Sequence, residues 1–196
     1  MLSLKHSEPR TLILIGASTG GPGHIQKIIQ ALPSDFSATI IIAQHMGAEY
    51  IPSFVKQLQH VTTLNVVAVI DQLAVLPGHI YICSFMTRLG SGAAGGLVFV
   101  QKIQEMERYN PDIDSLFESA ALLPRAYKTT GIILTGVGED GAKGIKALAD
   151  KGRPCIAESE GSAVVYGMPF QAKLLVKNIS VKDLGEIIQI VKLLGG

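Results

Sequence analysis

The stretch LILIGASTGGPGHIQ, residues 12 to 26, passes from an unbroken apolar run into a segment rich in glycine and small polar residues. The apolar run predicts a strand buried on both faces, and the pattern after it predicts an amphipathic helix. Between them, residues 16–20 fit G-x-S-x-G, a tight strand-to-helix turn that exposes the oxygen of Ser18 at the carboxyl edge of a sheet. Such a turn also offers unpaired N–H groups to a phosphate. The pattern alone therefore leaves a nucleophile and an anion site both open.

The rest of the chain alternates short apolar runs with helical patterns, which predicts one domain built on a mostly parallel sheet. Strands are predicted at 11–16, 38–44, 64–69, 130–136 and 154–158. Helices are predicted at 22–32, 48–59, 114–127, 141–152 and 181–194. Residues 79–103 place two β-rich runs around GSGAAGG and predict a hairpin. The predicted fold class is therefore α/β with a β-hairpin insertion.

Composition excludes several kinds of function. The 196 residues are 47% hydrophobic, and a net charge of +1 gives no general attraction for nucleic acid, a membrane surface or acidic partners. Cys83 and Cys155 are far apart and lack metal-ligand spacing, which favours free thiols in a reducing compartment. Residues 1–10 lack the apolar core of a signal peptide, and no apolar run approaches the ~18 residues of a membrane span. These features predict a soluble, cytoplasmic protein without membrane insertion.

The glycine-rich segments fit neither the dinucleotide-binding fingerprint G-x-G-x-x-G nor a P-loop. A serine nucleophile at Ser18 would need a base to activate it. The histidines are His6, His24, His45, His60 and His79. His45 ends the run TIIIAQH, so it should lie at the carboxyl end of the second strand, at the same edge as Ser18. His24 lies only six residues beyond Ser18, in the next helix, where reaching back is awkward. His45 is therefore the leading candidate.

A base of this kind needs an acid that orients it, and three aspartates compete for the role. Asp140, in ILTGVGEDG, follows another buried strand and should reach the same edge. It could instead cap the helix that begins after it. Asp112 and Asp114, in NPDID, are rivals for which helix capping is the stronger expectation. Convergence of three strand ends favours Asp140, and the residues alone indicate a hydrolase.

Five segments resemble the catalytic domain of the chemotaxis receptor methylesterases, the CheB-type enzymes. They are IGASTGG (15–21), AQHM (43–46), LPGHIYI (76–82), ILTGVGEDGAKG (133–144) and AESEGSAVVYGMP (157–169). The resemblance spans residues 12 to about 170 in order. It implies a three-layer α/β/α sandwich around a doubly wound sheet, and a catalytic triad in the order Ser18, His45, Asp140.

The resemblance also implies roles for residues near the triad. Thr19 matches the residue beside the nucleophile, and Val137 stands where the family usually has methionine, whose backbone N–H contributes to the oxyanion hole. Met168 and Pro169 match the GMP turn near the active-site surface, in contact with substrate or in a packing role. Asp112 departs from the common segment RPSVD, and this added carboxylate is expected to affect the choice of receptor.

The activity implied is hydrolysis of γ-glutamyl methyl esters on the cytoplasmic helices of chemoreceptors, with deamidation of receptor glutamines as a second reaction. Neither reaction needs a metal or an organic cofactor. Two alternatives remain: a carboxylesterase acting on small esters, and a non-catalytic signalling scaffold, which the three intact catalytic positions disfavour.

The resemblance also bears on domain organisation. We expect residues 1–10 to be a leader or residual linker and residues 11–196 to be the methylesterase catalytic domain, without the receiver domain that such enzymes usually carry. On this expectation the chain is active without a phosphodonor.

Overall fold

The structure is a computed structural model, and it describes residues 10–93, 95–102 and 111–196. Its strands are β1 Thr11–Ala17, β2 Thr39–Gln44, β3 Asn65–Ala68, β4 His79–Ile82, β5 Met86–Ser91, β6 Leu97–Lys102, β7 Lys128–Ile133, β8 Cys155–Glu158 and β9 Ser180–Lys182. Its helices are α1 Gly21–Gln30, α2 Ile51–Gln59, α3 Ile113–Ala121, α4 Ala142–Asp150, α5 Met168–Leu175 and α6 Leu184–Gly195, and a 3-10 turn at Ala48–Tyr50 leads into α2.

Seven strands form one sheet in the order β3-β4-β2-β1-β7-β8-β9, and every neighbouring pair in it is parallel. The chain leaves β1 toward β2 on one side and leaves β7 toward β8 on the other. The strand order therefore reverses between β1 and β7, and in open α/β sheets ligands bind in the crevice outside such a switch point. The predicted doubly wound α/β fold is confirmed.

Side chains of β1 alternate between two apolar clusters, one on each face of the sheet. Leu12 and Leu14 pack with residues of α3 and α4, among them Phe117. Ile13 and Ile15 pack with residues of α1, α2 and α6. Because helices cover both faces, the strand is apolar throughout its length, and the molecule has three layers. Within the described residues, no helix is long and apolar enough to cross a membrane.

The hairpin is shorter than the sequence predicted. β5 and β6 pair antiparallel as a separate two-stranded sheet, whereas β4 lies in the parallel sheet between β3 and β2. Tyr81 packs into one core cluster while Ile80 and Ile82 pack into the other, so β4 is buried on both faces. A left-handed residue, Phe85 (φ 61°), then separates β4 from the hairpin. Ala94, in its GSGAAGG tip, lies outside the described residues.

The carboxyl-terminal third of the sequence departs most from prediction. Helix α5 and strand β9 were not predicted, and β9 takes up the start of the predicted helix 181–194. Helix α3 ends at Ala121, before Pro124, because proline disfavours helical geometry in the residue that precedes it. Helix α5 has proline in its first turn, where no intrahelical N–H bond is lost. Pro169 therefore marks the start of a helix at a position where the sequence predicts a turn.

Helices α3 and α4 pack closely because Gly144 has no side chain. A Cβ at residue 144 would lie 2.6 Å from Cβ of Phe117 and 2.9 Å from the backbone oxygen of Asp114. The second contact is with backbone, so relief would require the two helices to separate. This contact fixes the start of α3 against the start of α4.

Gly144→Ala should lower the free energy of unfolding by roughly 1–3 kcal/mol, because the added methyl group overpacks the helix contact. Gly23→Ala, in α1, is the matched control, since a Cβ there meets nothing within 4 Å. It should be neutral or gain about 0.5–1 kcal/mol from the lower backbone entropy of the unfolded chain. Urea unfolding of both variants checks this, and equal effects would contradict the packing argument.

Candidate active site

Ser18 lies in the turn between β1 and α1, at the switch point of the sheet. Its backbone N–H donates to the oxygen of Thr135, 3.0 Å away beyond the end of β7, and its own carbonyl accepts from the N–H of Gly21 at 2.8 Å. Gly20 closes the turn in a left-handed conformation (φ 84°), which glycine adopts without strain. Ser18 is half-buried and Thr19 is exposed. The turn thus presents the serine at the edge that the sequence predicted.

His45 follows β2 directly and lies beside this turn. Its backbone N–H donates to the oxygen of Ala17, the residue before Ser18, at 2.9 Å. Its ring nitrogen Nε2 lies 2.7 Å from Oδ2 of Asp140, and its side chain is 13% exposed. The structure therefore joins His45 to the predicted aspartate and places its backbone next to that of the serine. A hydrogen bond between Ser18 Oγ and the His45 ring stays a prediction.

Asp140 is held by the amino-terminal end of α3. Its Oδ2 accepts from the N–H of Ile113 at 2.9 Å, and its Oδ1 accepts from the N–H of Asp114 at 3.0 Å. The side chain is 2% exposed. A helix N-terminus carries unpaired N–H groups and a partial positive charge, and both favour a carboxylate there. The cap residue of α4 is Gly141, without a side-chain cap bond, so the interpretation of Asp140 as the cap of that helix is wrong.

Of the two rival aspartates, Asp112 caps a helix as expected, whereas Asp114 lies within α3 and bonds to the first turn of α4. Asp112 caps α3, because its Oδ1 accepts from the N–H of Ser115 at 2.8 Å. Asp114 accepts at Oδ1 from the N–H of Gly144, in the first turn of α4, at 2.7 Å. At the position where Asp112 departs from the family pattern, it therefore caps the start of α3.

The carboxyl group of Asp114 has an altered acidity. Desolvation by burial raises its pKa from 3.8 to about 6. The hydrogen bond from Gly144 lowers the pKa, and negative charges on Asp140, Asp112 and Glu118 raise it. Asp114 therefore lies between two helix starts, and its raised pKa means that its ionisation is less favourable in the folded protein than in the unfolded chain.

Val137 is exposed next to a glycine that lies against Ser18, whereas Met168 and Pro169 are buried. Val137 follows Gly136, where an added Cβ would lie 2.7 Å from Cβ of Ser18. Met168 and Pro169 are buried at the start of α5, and Met168 Sδ faces Gly136. The expectation of substrate contact by these two residues is therefore wrong, and the packing alternative is right.

Of the other candidate histidines, His24, His60 and His79 have partners outside the predicted triad, and the partner of His24 is Glu158. His60 and His79 are bonded to the backbone oxygens of Lys56 and Pro77, and His6 lies outside the described residues. Cys83 and Cys155 are free and buried, and burial raises the pKa of each thiol to about 12, which leaves no thiolate nucleophile there. Among the described residues, no group of three or more His, Cys, Asp or Glu is arranged to hold a metal ion.

Sequence reasoning missed three buried polar residues that support the site. Gln44 ends β2, and its Nε2 donates to the backbone oxygens of Ser18 (2.9 Å) and His45 (3.0 Å). Thr135 follows β7 and receives the N–H of Ser18, while Glu158 ends β8 and accepts from the N–H of Thr135. All three are polar residues that directly follow an apolar stretch at the carboxyl end of a strand. That position was the signal in the sequence.

The fold and the site together define an open-sheet α/β protein with a serine, histidine and aspartate gathered at its switch point, an arrangement typical of serine hydrolases. The family model described as CheB methylesterase matches residues 13–191. The chain therefore belongs to the CheB methylesterase family.

Individual relatives agree with this assignment. A protein-glutamate methylesterase/protein-glutamine glutaminase of Bordetella parapertussis is 38% identical over 179 residues, covering 90% of this chain and 51% of the relative. One from Oleidesulfovibrio alaskensis is 38% identical over 162 residues, covering 82% and 44%. The chain thus spans about half the length of these curated relatives. The crystal structure of the Thermotoga maritima CheB methylesterase catalytic domain superposes with a TM-score of 0.85 at 31% identity, covering 96% of this chain and 99% of that one.

Asp140→Asn should lower the free energy of unfolding by roughly 1–3 kcal/mol, because an amide has one oxygen and Asp140 uses both to accept backbone N–H groups. Asp112→Asn is the matched control, since asparagine caps a helix about as well as aspartate. Urea unfolding at neutral pH measures both. Equal stabilities of the two variants would show that α3 does not depend on the Asp140 carboxylate.

Asp114→Asn should stabilise the protein above about pH 6 and leave it unchanged below about pH 4. The pKa of Asp114 is about 6 when folded and 3.8 when unfolded, so between these values the folded state binds more protons and its stability falls as pH rises. Asparagine removes the unfavourable charge and keeps the oxygen that accepts from Gly144. Solvent screening of the half-buried group limits the size of the effect.

The measurement is urea unfolding of the wild-type chain and the Asp114→Asn variant at several pH values between about 4 and 8. The difference in unfolding free energy should grow with pH and level off above the folded pKa. A difference that stays constant with pH would mean that Asp114 does not titrate as described.

Proposed function

We propose that this chain is a protein-glutamate methylesterase that hydrolyses γ-glutamyl methyl esters on chemoreceptors, and that residues 11–196 form its catalytic domain. The observation that carries the proposal is the pair of His45 Nε2 and Asp140 Oδ2, 2.7 Å apart beside the Ser18 turn. Membership of the CheB methylesterase family and the names of the relatives support the choice of substrate.

In the first half of the reaction, Ser18 Oγ attacks the ester carbonyl and His45 takes its proton. Asp140 occupies Nε2 of His45, so Nδ1 is the ring nitrogen that acts on the serine. Asp140 remains a carboxylate and stabilises the imidazolium that forms. The backbone N–H groups of Thr19 and Val137, which flank the serine, are the donors we assign to the tetrahedral oxyanion. Collapse of this intermediate transfers the proton to the leaving oxygen and releases methanol.

In the second half, water attacks the acyl-enzyme, with His45 again accepting a proton. The products are a free glutamate side chain and regenerated Ser18. A receptor glutamine would follow the same path, with ammonia leaving in place of methanol, so one site accounts for esterase and deamidase activities. No step calls on a metal or a cofactor, because positioned donors and the His45–Asp140 pair supply the proton transfers and the charge stabilisation.

The surface beside Ser18 suits a protein substrate. Val164 lies over Gly20, where an added Cβ would come within 2.7 Å of it, and Val164 is 63% exposed. Val137 is 59% exposed, and Phe170, which contacts the Tyr166 ring, is also exposed. Exposed apolar side chains grouped in this way are a common feature of sites that bind other proteins. We assign them to the apolar face of a cytoplasmic receptor helix, and we propose that the reaction takes place in the cytoplasm.

The decisive experiment is methanol release from a methylated chemoreceptor cytoplasmic fragment by the wild-type chain and by Ser18→Ala. The serine variant should lose roughly 10⁴-fold or more in kcat while remaining folded, because the nucleophile is removed. His45→Gln should lose a similar amount, and the double variant should lose no more than either single variant, because the residues act as one unit.

The control is a series of simple methyl esters assayed with the same variants. Faster turnover of simple esters than of the receptor fragment would favour a small-ester carboxylesterase. Unchanged methanol release by Ser18→Ala would reject the proposed nucleophile altogether.

A further inference from the structure

A second acid–histidine pair lies buried beneath the serine turn and takes no part in the proposed proton transfers. Nδ1 of His24 lies 3.1 Å from Oε1 and 3.2 Å from Oε2 of Glu158. His24 is 7% exposed and Glu158 is fully buried. The two residues are 134 positions apart in sequence, His24 in the first turns of α1 and Glu158 at the end of β8.

Glu158 is linked to the serine turn through Thr135. Oε2 of Glu158 accepts from the N–H of Thr135 at 2.8 Å, and the oxygen of Thr135 accepts from the N–H of Ser18 at 3.0 Å. The Thr135 hydroxyl donates to the oxygen of Thr19 at 2.9 Å. Ser18 and the residue that follows it, Thr19, are therefore both bonded to Thr135, and Thr135 is bonded to Glu158.

His24 is connected to the same turn along the chain, because the turn ends at Gly20 and α1, which contains His24, begins at Gly21. The Ser162 hydroxyl donates to Oε1 of Glu158 at 2.8 Å and accepts from the N–H of Leu184 at 3.0 Å, which extends the network to the start of α6. A buried carboxylate is retained in a protein interior only when its oxygens are paired, and here three groups donate to it.

We propose that Glu158 and His24 are positioning residues for the nucleophile: they clamp α1 to the end of β7, and so fix the direction in which Ser18 presents its oxygen. This inference rests on the proposed function of Ser18. Neither residue touches the reacting atoms. A displacement of the serine turn by even about 1 Å can cost on the order of 100-fold in rate, so a clamp at this point acts on reactivity as well as on stability.

The test measures the reactivity of Ser18 directly, with a fluorophosphonate probe. Ser18 Oγ attacks phosphorus, fluoride leaves, and the serine proton passes to His45, so the labelling rate reports how well the nucleophile is aligned. Glu158→Leu removes the acceptor and should slow labelling on the order of 10- to 100-fold. Glu158→Gln keeps an oxygen for the N–H of Thr135 and should stay within about threefold of the wild-type rate.

Two further pairs of variants, one at Thr135 and one at His24, cover the case in which Glu158→Leu does not fold. Thr135→Val is nearly isosteric and keeps the backbone bond to Glu158, but it loses the hydroxyl bond to Thr19. It should slow labelling, whereas Thr135→Ser should not. His24→Leu leaves the carboxylate without its histidine and should also slow labelling, and adding Glu158→Gln should restore most of the rate, because the unpaired charge is then gone.

Val191→Ala separates positioning from stability. Val191 is buried near the far end of α6, so its truncation should lower the melting temperature without changing the labelling rate of the folded protein. Wild-type labelling by a folded Glu158→Leu or His24→Leu variant would overturn the positioning role and leave the proposed function standing. Failure of the wild-type chain to label at Ser18 would overturn the proposed function, and this inference with it.

Discussion

The site depends on one buried carboxylate, that of Asp140, and on the helix end that receives it. The start of α3 donates two N–H groups to Asp140, and His45 takes a third position on the same carboxylate. The acid therefore fixes a loop after β7, a helix on one face of the sheet and the residue after β2 in a single cluster. Because the anion lies at the positive end of a helix, burial of its charge is compensated by backbone N–H groups, which only a substitution by proline would remove.

The same logic extends along the edge of the sheet. Near its carboxyl end, each of the strands β1, β2, β7 and β8 passes from an apolar stretch to a polar residue. These polar residues are Ser18, Gln44, Thr135 and Glu158. Each of these residues bonds to a neighbouring strand end, so the edge forms one hydrogen-bonded layer above the two apolar clusters. The parallel sheet supplies the alignment, and the layer holds the backbone of the nucleophile and the base together.

Local pattern was sufficient to predict the elements that carry strong periodicity and the residues that end them. Ser18, His45 and Asp140 were all found because parallel strands bring their carboxyl ends to one edge. The hydrogen-bond partners of these residues could not be predicted from the ends of the strands. Asp140 accepts hydrogen bonds from the start of α3, and Glu158 is bonded to His24, which lies 134 residues away in the sequence. No local pattern encodes such contacts. Strand β4 was assigned to a hairpin because burial on both faces becomes evident only when its neighbours are known.

The position of β1 has a consequence for the order in which the molecule can assemble. This strand is the first of the described strands along the chain, yet it is central in the sheet and pairs with β7, which begins at Lys128. The entropy cost of closing the long loop between two such strands comes before the favourable energy of their pairing. Parallel sheets of this kind therefore form slowly. A growing chain that ends after α2 contains Ser18 and His45 but none of the groups from residues 113–158 that anchor them. The turn that holds Ser18 is therefore synthesised before its partners, and its bonds to Thr135, and through Thr135 to Glu158, form only after the second half of the domain has left the ribosome.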